Sequence, residues 1–304
     1  MFEELFATRG LSLDRLRTFL RVIAAGGIAK AAPDSLTRQT QYSRQISELS
    51  EFFGVQLVRR KGRGIEPTEA GKELARAIRE QFASLSDFQA GCRGQPLRVT
   101  IGAGDSVLCW AVIPALGTLR AGAQAPTFEL RNLRSAQMRD GLDGMELDFA
   151  VMRRDAAGPS HRAKPVGLLR YAIFSHARLL GGKAKVAFDV VGSLPMAILH
   201  QDTALHRDIE RLWSRLGVAP TGTLICESLI HAARAVRAGT HAAVLPLGAK
   251  HDFQSDDIVA IGADELKPLA RQLCLVWNRR IERIRPPVTR LREPLAQAIR
   301  KQLS

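Results

Sequence analysis

Apolar residues within 37–53 return at Tyr42, Ile46, Leu49 and Phe53, steps of four, three and four that draw one buried stripe along a helix. The other face carries Arg38, Gln39, Gln41, Arg44 and Gln45, side chains that donate to phosphates or pair with base edges in a major groove. Upstream, the Ala-rich turn of Ile28, Ala29, Ala31 and Ala32 lets helices approach closely before Pro33, Asp34 and Ser35 break the pattern; Gly54 stops the long helix. Two short runs, 55–58 and 65–67, then flank a basic, glycine-containing turn of Arg59, Arg60, Lys61, Gly62, Arg63 and Gly64, which predicts a hairpin. Singly, an amphipathic helix or a basic loop is an ordinary solvated surface. In this order they predict a winged helix-turn-helix.

Thr68 is placed to cap a following helix through Ala70, Leu74, Ala77, Ile78, Phe82, Leu85 and Phe88, again in steps of three and four. That stripe has no partner in its own head and predicts a dimerisation helix, ended by Gly91, Gly94 and Pro96. From Leu97 short apolar runs alternate with helical segments, the pattern of α/β architecture. Strands are expected at 97–104, 126–135, the end of 137–153, 168–174, 196–199, 223–226, 242–245 and 272–276. Helices are expected after the first strand and at 206–216, 229–238 and 286–302.

A chain of 304 residues holds two or three domains with separate cores, and its 46% apolar content excludes disordered and membrane classes. The first residues carry Glu3 and Glu4 and no unbroken apolar run, so neither a signal peptide nor a membrane helix is expected, and a cytoplasmic location is. Cys92, Cys109, Cys226 and Cys274 are scattered without metal-ligand spacing; reduced packing residues and no metal are expected. The net charge of +14 is unevenly spread: residues 1–95 hold 15 Lys and Arg against 11 acids, 96–266 hold 19 against 17, and 267–304 hold 10 against 2. Most of the excess lies in the tail, read as a solvated face, so overall basicity says little about nucleic acid. Residues 36–64 hold six bases and two acids, a modest footprint that calls for more than one subunit on a duplex.

The order Ala31-Ala32, Gln39, Ser43, Ile46, Leu49, Gly54, Leu57, Arg60, Pro67-Thr68 and Ala70-Gly71 resembles the winged helix-turn-helix of LysR-type transcriptional regulators. The phrase LDGMELDFAVM at 142–152 is close to another of that family, so the resemblance runs from Leu13 to about Gln302. The chain departs from the family pattern at Pro33, Ser35, Arg38, Thr40 and Val58. The resemblance implies an α/β protein with a winged helix-turn-helix at 1–67, a linker and dimerisation helix at 68–95, and an effector-binding domain at 96–304. That domain would be two subdomains, about 96–167 plus 268–304 and 168–267, resembling type 2 periplasmic binding proteins. It further implies a homodimer or homotetramer, with promoter DNA, a small effector and RNA polymerase as partners. Thr37, Arg38, Gln39, Gln41, Tyr42, Ser43 and Arg44 would face the major groove, and Arg60, Lys61 and Arg63 the backbone or minor groove.

Ligands of open α/β sheets bind beyond the carboxyl ends of strands. Ser106, Ser135 and Ser228 follow expected strands there, each also readable as a helix cap, and the last two match positions resembling the family's effector cleft. Three such serines point to a small anionic metabolite; Gln201 and Asp202, with His200 and Thr203, would line the second subdomain. The turn GAGDSV lacks the third glycine of a dinucleotide loop, so no nucleotide cofactor is expected. The competing readings are an α/β enzyme or a solute-binding protein with an accessory helical domain. The chain has no GxSxG, HExxH or P-loop, and the head and the lack of an export signal oppose a solute-binding role, so no enzyme is expected.

Overall fold

The computed structural model describes residues 3–7, 10–62, 64–119, 125–182, 186–200, 203–253 and 257–303; Arg63, Gln201 and Asp202 lie outside them. The chain divides into two compact units, one of Met1–Gln89 with Asp143–Glu146, the other of Ala90–Leu142 with Leu147–Ser304.

In the first unit a short helix α1 (Glu3–Ala7) precedes α2 (Leu13–Ala25), which Ser12 caps by accepting from the Arg15 N–H at 3.2 Å. Next, α3 (Ile28–Ala31) is a single turn, because Pro33 has no N–H to continue it and forces Ala32 out of the helical region. Ser35 then caps α4 (Leu36–Phe53), its hydroxyl accepting from Arg38 N–H at 3.3 Å. Pro33 and Ser35 thus act together: one halts α3 and the other starts α4.

Strands β1 (Val58–Lys61) and β2 (Gly64–Pro67) pair antiparallel as the expected hairpin, and α5 (Glu69–Cys92) follows. The core joins Phe19 and Val22 of α2, Ile46 and Leu49 of α4, Leu57, and Ala75 and Ile78 of α5, all nearly inaccessible. Two glycines allow backbone to run against backbone. A β-carbon on Gly64 would stand 2.5 Å from the Gly26 carbonyl oxygen, which accepts from Ile65 N–H, and one on Gly71 only 1.9 Å from that of Leu57. The Leu57 oxygen accepts from Thr68 N–H at 3.0 Å, while the Thr68 hydroxyl accepts from Gly71 N–H at 3.0 Å and donates to Gln56 O at 2.7 Å. Thr68 is the expected cap.

The second unit holds two five-stranded sheets. The chain runs β3 (Arg98–Ala103), α6 (Asp105–Val107), a π turn (Leu108–Val112), α7 (Ile113–Gly117), β4 (Thr127–Asn132), α8 (Ser135–Asp143), β5 (Phe149–Arg153) and β6 (His161–Leu169). It enters the other sheet at β7 (Tyr171–His176), continuing through β8 (Pro195–Leu199), α9 (Ala204–Leu216), β9 (Thr221–Cys226), α10 (Leu229–Arg237), β10 (Ala242–Pro246) and β11 (Ile258–Ile261). It returns through β12 (Arg271–Asn278), α11 (Ile281–Ile284), α12 (Pro286–Thr289) and α13 (Arg292–Leu303). The sheet orders are β4-β3-β5-β12-β6 and β11-β7-β10-β8-β9. Strands β3, β4 and β5 are mutually parallel, as are β8, β9 and β10, so each set of carboxyl ends shares one sheet edge.

Two sequence expectations change here. The run 168–174, expected as one strand, breaks at Arg170 into β6, which ends at Leu169, and β7, which starts at the buried Tyr171, in different sheets. The helix expected at 286–302 is split into α12 and α13. Nor is the basic tail merely a solvated face. Arg285 is buried, donating to Asp148 Oδ1 at 2.6 Å and to Arg98 O at 2.9 Å, while Asp148 Oδ2 accepts from Thr100 N–H. The ion pair pins the tail to the first sheet.

Asp148→Ala strands that guanidinium in the interior and is expected to destabilise the second unit by about 3–5 kcal/mol. Gly71→Ala, which drives a methyl into the Leu57 carbonyl, is expected to cost the first unit about 1–3 kcal/mol. Denaturant midpoints of the full-length variants check both.

Candidate DNA-reading surface and effector cleft

The exposed residues of α4 form one broad arc on the side away from its buried Ile46 and Leu49. At about 100° per residue, Leu36, Thr40 and Ser43 project to one side, with Thr37 and Arg44 beside them, and Arg38, Gln41 and Gln45 project roughly opposite. Of the expected DNA-binding residues, Thr37, Ser43 and Arg44 lie toward the first end of that arc, Arg38 and Gln41 toward the other, and Arg60 and Lys61 on the wing. Thr37, Ser43 and Arg44 are exposed. Arg44 Nε donates to Glu48 Oε1 at 2.8 Å and Arg15 to Glu48 Oε2, and the two guanidiniums hold the Glu48 carboxyl below the usual carboxylate range. On the wing, Lys61 and Arg59 share Glu66 at 2.7 and 2.8 Å and lower its carboxyl in the same way. Arg60 is exposed and has no carboxylate partner among the described residues.

Gln39 and Tyr42 also make contacts within the head. The Gln39 amide donates to Ala32 O at 2.8 Å, restoring a bond to the turn that Pro33 opened. The half-buried Tyr42 packs against the head core, and its hydroxyl accepts from Arg21 Nη1 at 3.0 Å.

Ser106 lies within α6 just beyond β3, and Ser135 is the first residue of α8 just beyond β4, so both sit at the carboxyl edge of the first sheet. Ser228 follows β9 and caps α10, accepting from Ile230 N–H at 3.0 Å. Its hydroxyl also donates to Asp105 Oδ2, a bond that crosses from the second sheet's helix to the first's. A second crossing runs from Trp110 Nε1 to Asp252 Oδ2 at 2.7 Å. Burial pushes the Cys109 thiol up, and the carboxylates of Asp252 and Asp105 push it further, so the cleft is electronegative at this point. Ser228, expected to hold an anion, thus has the Asp105 carboxylate as its neighbour. Asp105 stands beside Ser106 in GAGDSV, but nothing local says that it faces residue 228. Of the cysteines, Cys226 and Cys274 are buried, Cys109 is half-buried, and Cys92 is exposed rather than a packing residue.

Residues 93–300 match the family model described as the LysR substrate binding domain, and residues 13–72 match that of the bacterial regulatory helix-turn-helix protein, lysR family. A probable nitrogen assimilation transcriptional activator of Synechococcus elongatus is 25% identical over 310 residues, covering 96% of this chain and 97% of that protein. Among solved structures, full-length CbnR complexed with target DNA has a TM-score of 0.62 at 17% identity, covering 96% of this chain and 100% of CbnR. Full-length LysG of Corynebacterium glutamicum, solved with bound effector Arg, has a TM-score of 0.59 at 19% identity, covering 96% of this chain and 99% of LysG.

Glu48 and Glu66 are ionised more readily in the folded head than the ordinary value of 4.5 allows, so their contribution to stability is complete above that pH and is lost as acid titrates through the lowered values. A Glu48→Gln, Glu66→Gln double variant is expected to lose less stability than the parent between about pH 5 and pH 3, read from denaturant midpoints.

Proposed function

The chain belongs to the LysR family of bacterial regulators, and we propose that it reads DNA with one face of α4 and the wing, under control of a ligand that replaces the Asp105–Ser228 bond. It is a sequence-specific DNA-binding transcriptional regulator with an effector-binding domain, and it acts as an oligomer on promoter DNA. On our reading it works in the cytoplasm and carries out no catalysis of its own. The functional division is that implied by sequence: a reading head at 1–67, a connecting helix at 68–95 and a regulatory domain beyond. Among the described residues no helix is long and apolar enough to cross a membrane. Leu85 and Phe88 of α5 are 55% and 73% exposed, an apolar surface suited to a second copy.

Within the head, Thr37 and Ser43 would meet base edges and Arg44, Arg60 and Lys61 phosphates. The observation that carries this division is the exposure of Ser43 and the ion-paired Arg44 on one side of α4, with an exposed Arg60 on the wing that has no carboxylate partner among the described residues. In binding assays on a duplex selected from a random pool, Ser43→Ala is expected to change sequence preference. Arg60→Ala is expected to weaken specific and random DNA alike and to lower the salt slope by about one. Equal losses on both kinds of DNA from both variants would refute the division.

For the cleft, the carboxylate at Asp105 favours a ligand with a cationic or hydrogen-bond-donating group, held with Ser106, Ser135 and Ser228. LysG, solved with effector Arg, shares the fold. Amine- and guanidine-bearing metabolites are expected to raise the melting temperature of the full-length protein by several degrees, roughly 2–4 °C per kcal/mol of binding, and Asp105→Asn to remove the shift. Stabilisation by dicarboxylates alone would overturn the ligand class.

A further inference from the structure

Helix α10 turns one of its sides toward the π turn that follows α6. Ile230, Ala233, Arg234 and Arg237 fall at i, i+3, i+4 and i+7, one side of a helix, and form one wall of a concavity of about 300 Å³. Trp110 of the π turn and residues 251–253 form the other wall. The volume is at the lower end of the range for small-molecule sites. None of Asp105, Ser106, Ser135 and Ser228 lines the concavity, so it is separate from the cleft.

The space exists because residue 233 is an alanine, 8% exposed, with longer side chains on either side of it. Opposite, Trp110 is fixed from two sides. Its Nε1 donates to Asp252 Oδ2 at 2.7 Å, and its carbonyl oxygen backs onto Gly248, where a β-carbon would stand only 3.1 Å away. The turn that carries it, Leu108–Val112, is a π turn, an irregularity that recurs where a helix serves a site.

The rim differs from the walls. Arg234, Arg237 and His251 are exposed there. Arg237 Nη2 donates to Asp252 O at 2.9 Å, which holds the side chain along the concavity while the guanidinium keeps further N–H donors. Arg234 has no carboxylate partner among the described residues. The lining thus holds two guanidiniums against the one carboxylate of Asp252, which already accepts from Trp110. Trp110, Ile230, Ala233 and Phe253 make the walls themselves apolar. Inorganic phosphate would satisfy the rim and leave those walls wet, and a neutral hydrocarbon would do the reverse. A carboxylate joined to an apolar body satisfies both, pairing with guanidinium N–H groups while its body displaces water from the walls.

We infer that the concavity between α10 and the π turn is a second ligand site, for a small monocarboxylate with an apolar body. Its carboxylate meets Arg234 and Arg237, and its body lies between Ala233 and Trp110. The charge preference is the reverse of that at Asp105, and it stands whichever ligand the cleft takes.

Calorimetry on the full-length protein tests this with phenylacetate as the probe. The comparisons are 2-phenylethanol, uncharged, phenethylamine, cationic, and acetate, a carboxylate without the body. Phenylacetate is expected to bind about tenfold tighter than each of the three. Arg234→Gln is expected to weaken phenylacetate by about tenfold and to leave 2-phenylethanol unchanged. Ala233→Leu fills the space without touching a charge and is expected to remove phenylacetate binding. The two variants act on different parts of the site, so misfolding of one leaves the other to decide. Asp252→Asn keeps an acceptor for Trp110 and removes the opposing charge, and is expected to tighten phenylacetate by about threefold. Equal binding of phenethylamine or 2-phenylethanol overturns the inference, as does an absence of binding at millimolar phenylacetate. Binding indifferent to both Arg234→Gln and Ala233→Leu overturns it too, since the probe then sits elsewhere, and so does weaker binding in Asp252→Asn. The amine response and its loss in Asp105→Asn are read separately, so failure at either site leaves the other standing.

Discussion

The Leu57 carbonyl oxygen takes the Thr68 N–H and occupies the space a β-carbon on residue 71 would need, so the end of the helix-turn-helix and the start of α5 are locked within one hydrogen-bonded turn. Much of the head follows from that lock. It brings Ala75 and Ile78 into the core beside Phe19, Val22, Ile46 and Leu49, so the base of α5 is a structural part of the head rather than a tether. It also sets the hairpin, because β2 must leave Gly64 close enough to Gly26 for Ile65 to donate to that carbonyl. Small residues here are a geometric requirement of backbone contact, independent of flexibility.

The head was largely readable in sequence because its signals are local. The stripe through Tyr42, Ile46 and Leu49, the stop at Gly54 and the cap at Thr68 each depend on residues within a few positions and are present in the structure, though Phe53 at the end of the stripe is 37% exposed. What the pattern could not resolve was how a polar side chain on α4 would be used. Gln39 reads as a base-pairing residue until Pro33 opens the preceding turn and Ala32 offers its carbonyl. Tyr42 likewise has a hydroxyl that periodicity assigns to the core and geometry assigns to Arg21.

In the second unit the legible and the hidden separate by distance along the chain. Alternating strands and helices revealed the α/β class, but a continuous apolar run at 168–174 gives no sign that Arg170 divides two sheets. The contacts that define the cleft and the tail join Asp105 to Ser228 and Asp148 to Arg285, more than a hundred positions apart. No local spacing announces such pairs. For that reason the serine at 228 suggested an anion while its neighbour across the chain, the carboxylate of Asp105, stayed hidden.

The first sheet is completed by the last part of the chain, since β12 lies between β5 and β6 and Arg285 closes on Asp148. The second sheet, by contrast, is drawn from the unbroken stretch β7 to β11. On the ribosome, at roughly 5–20 residues per second, the hundred or so residues between β6 and β12 take about 5–20 seconds to emerge. By the end of that interval the second sheet has all of its strands in hand, while β5 and β6 still have no strand between them. The second sheet is therefore the first of the two to have its full set of strands, and the β5 edge waits through translation of that sheet for the strand that seals it.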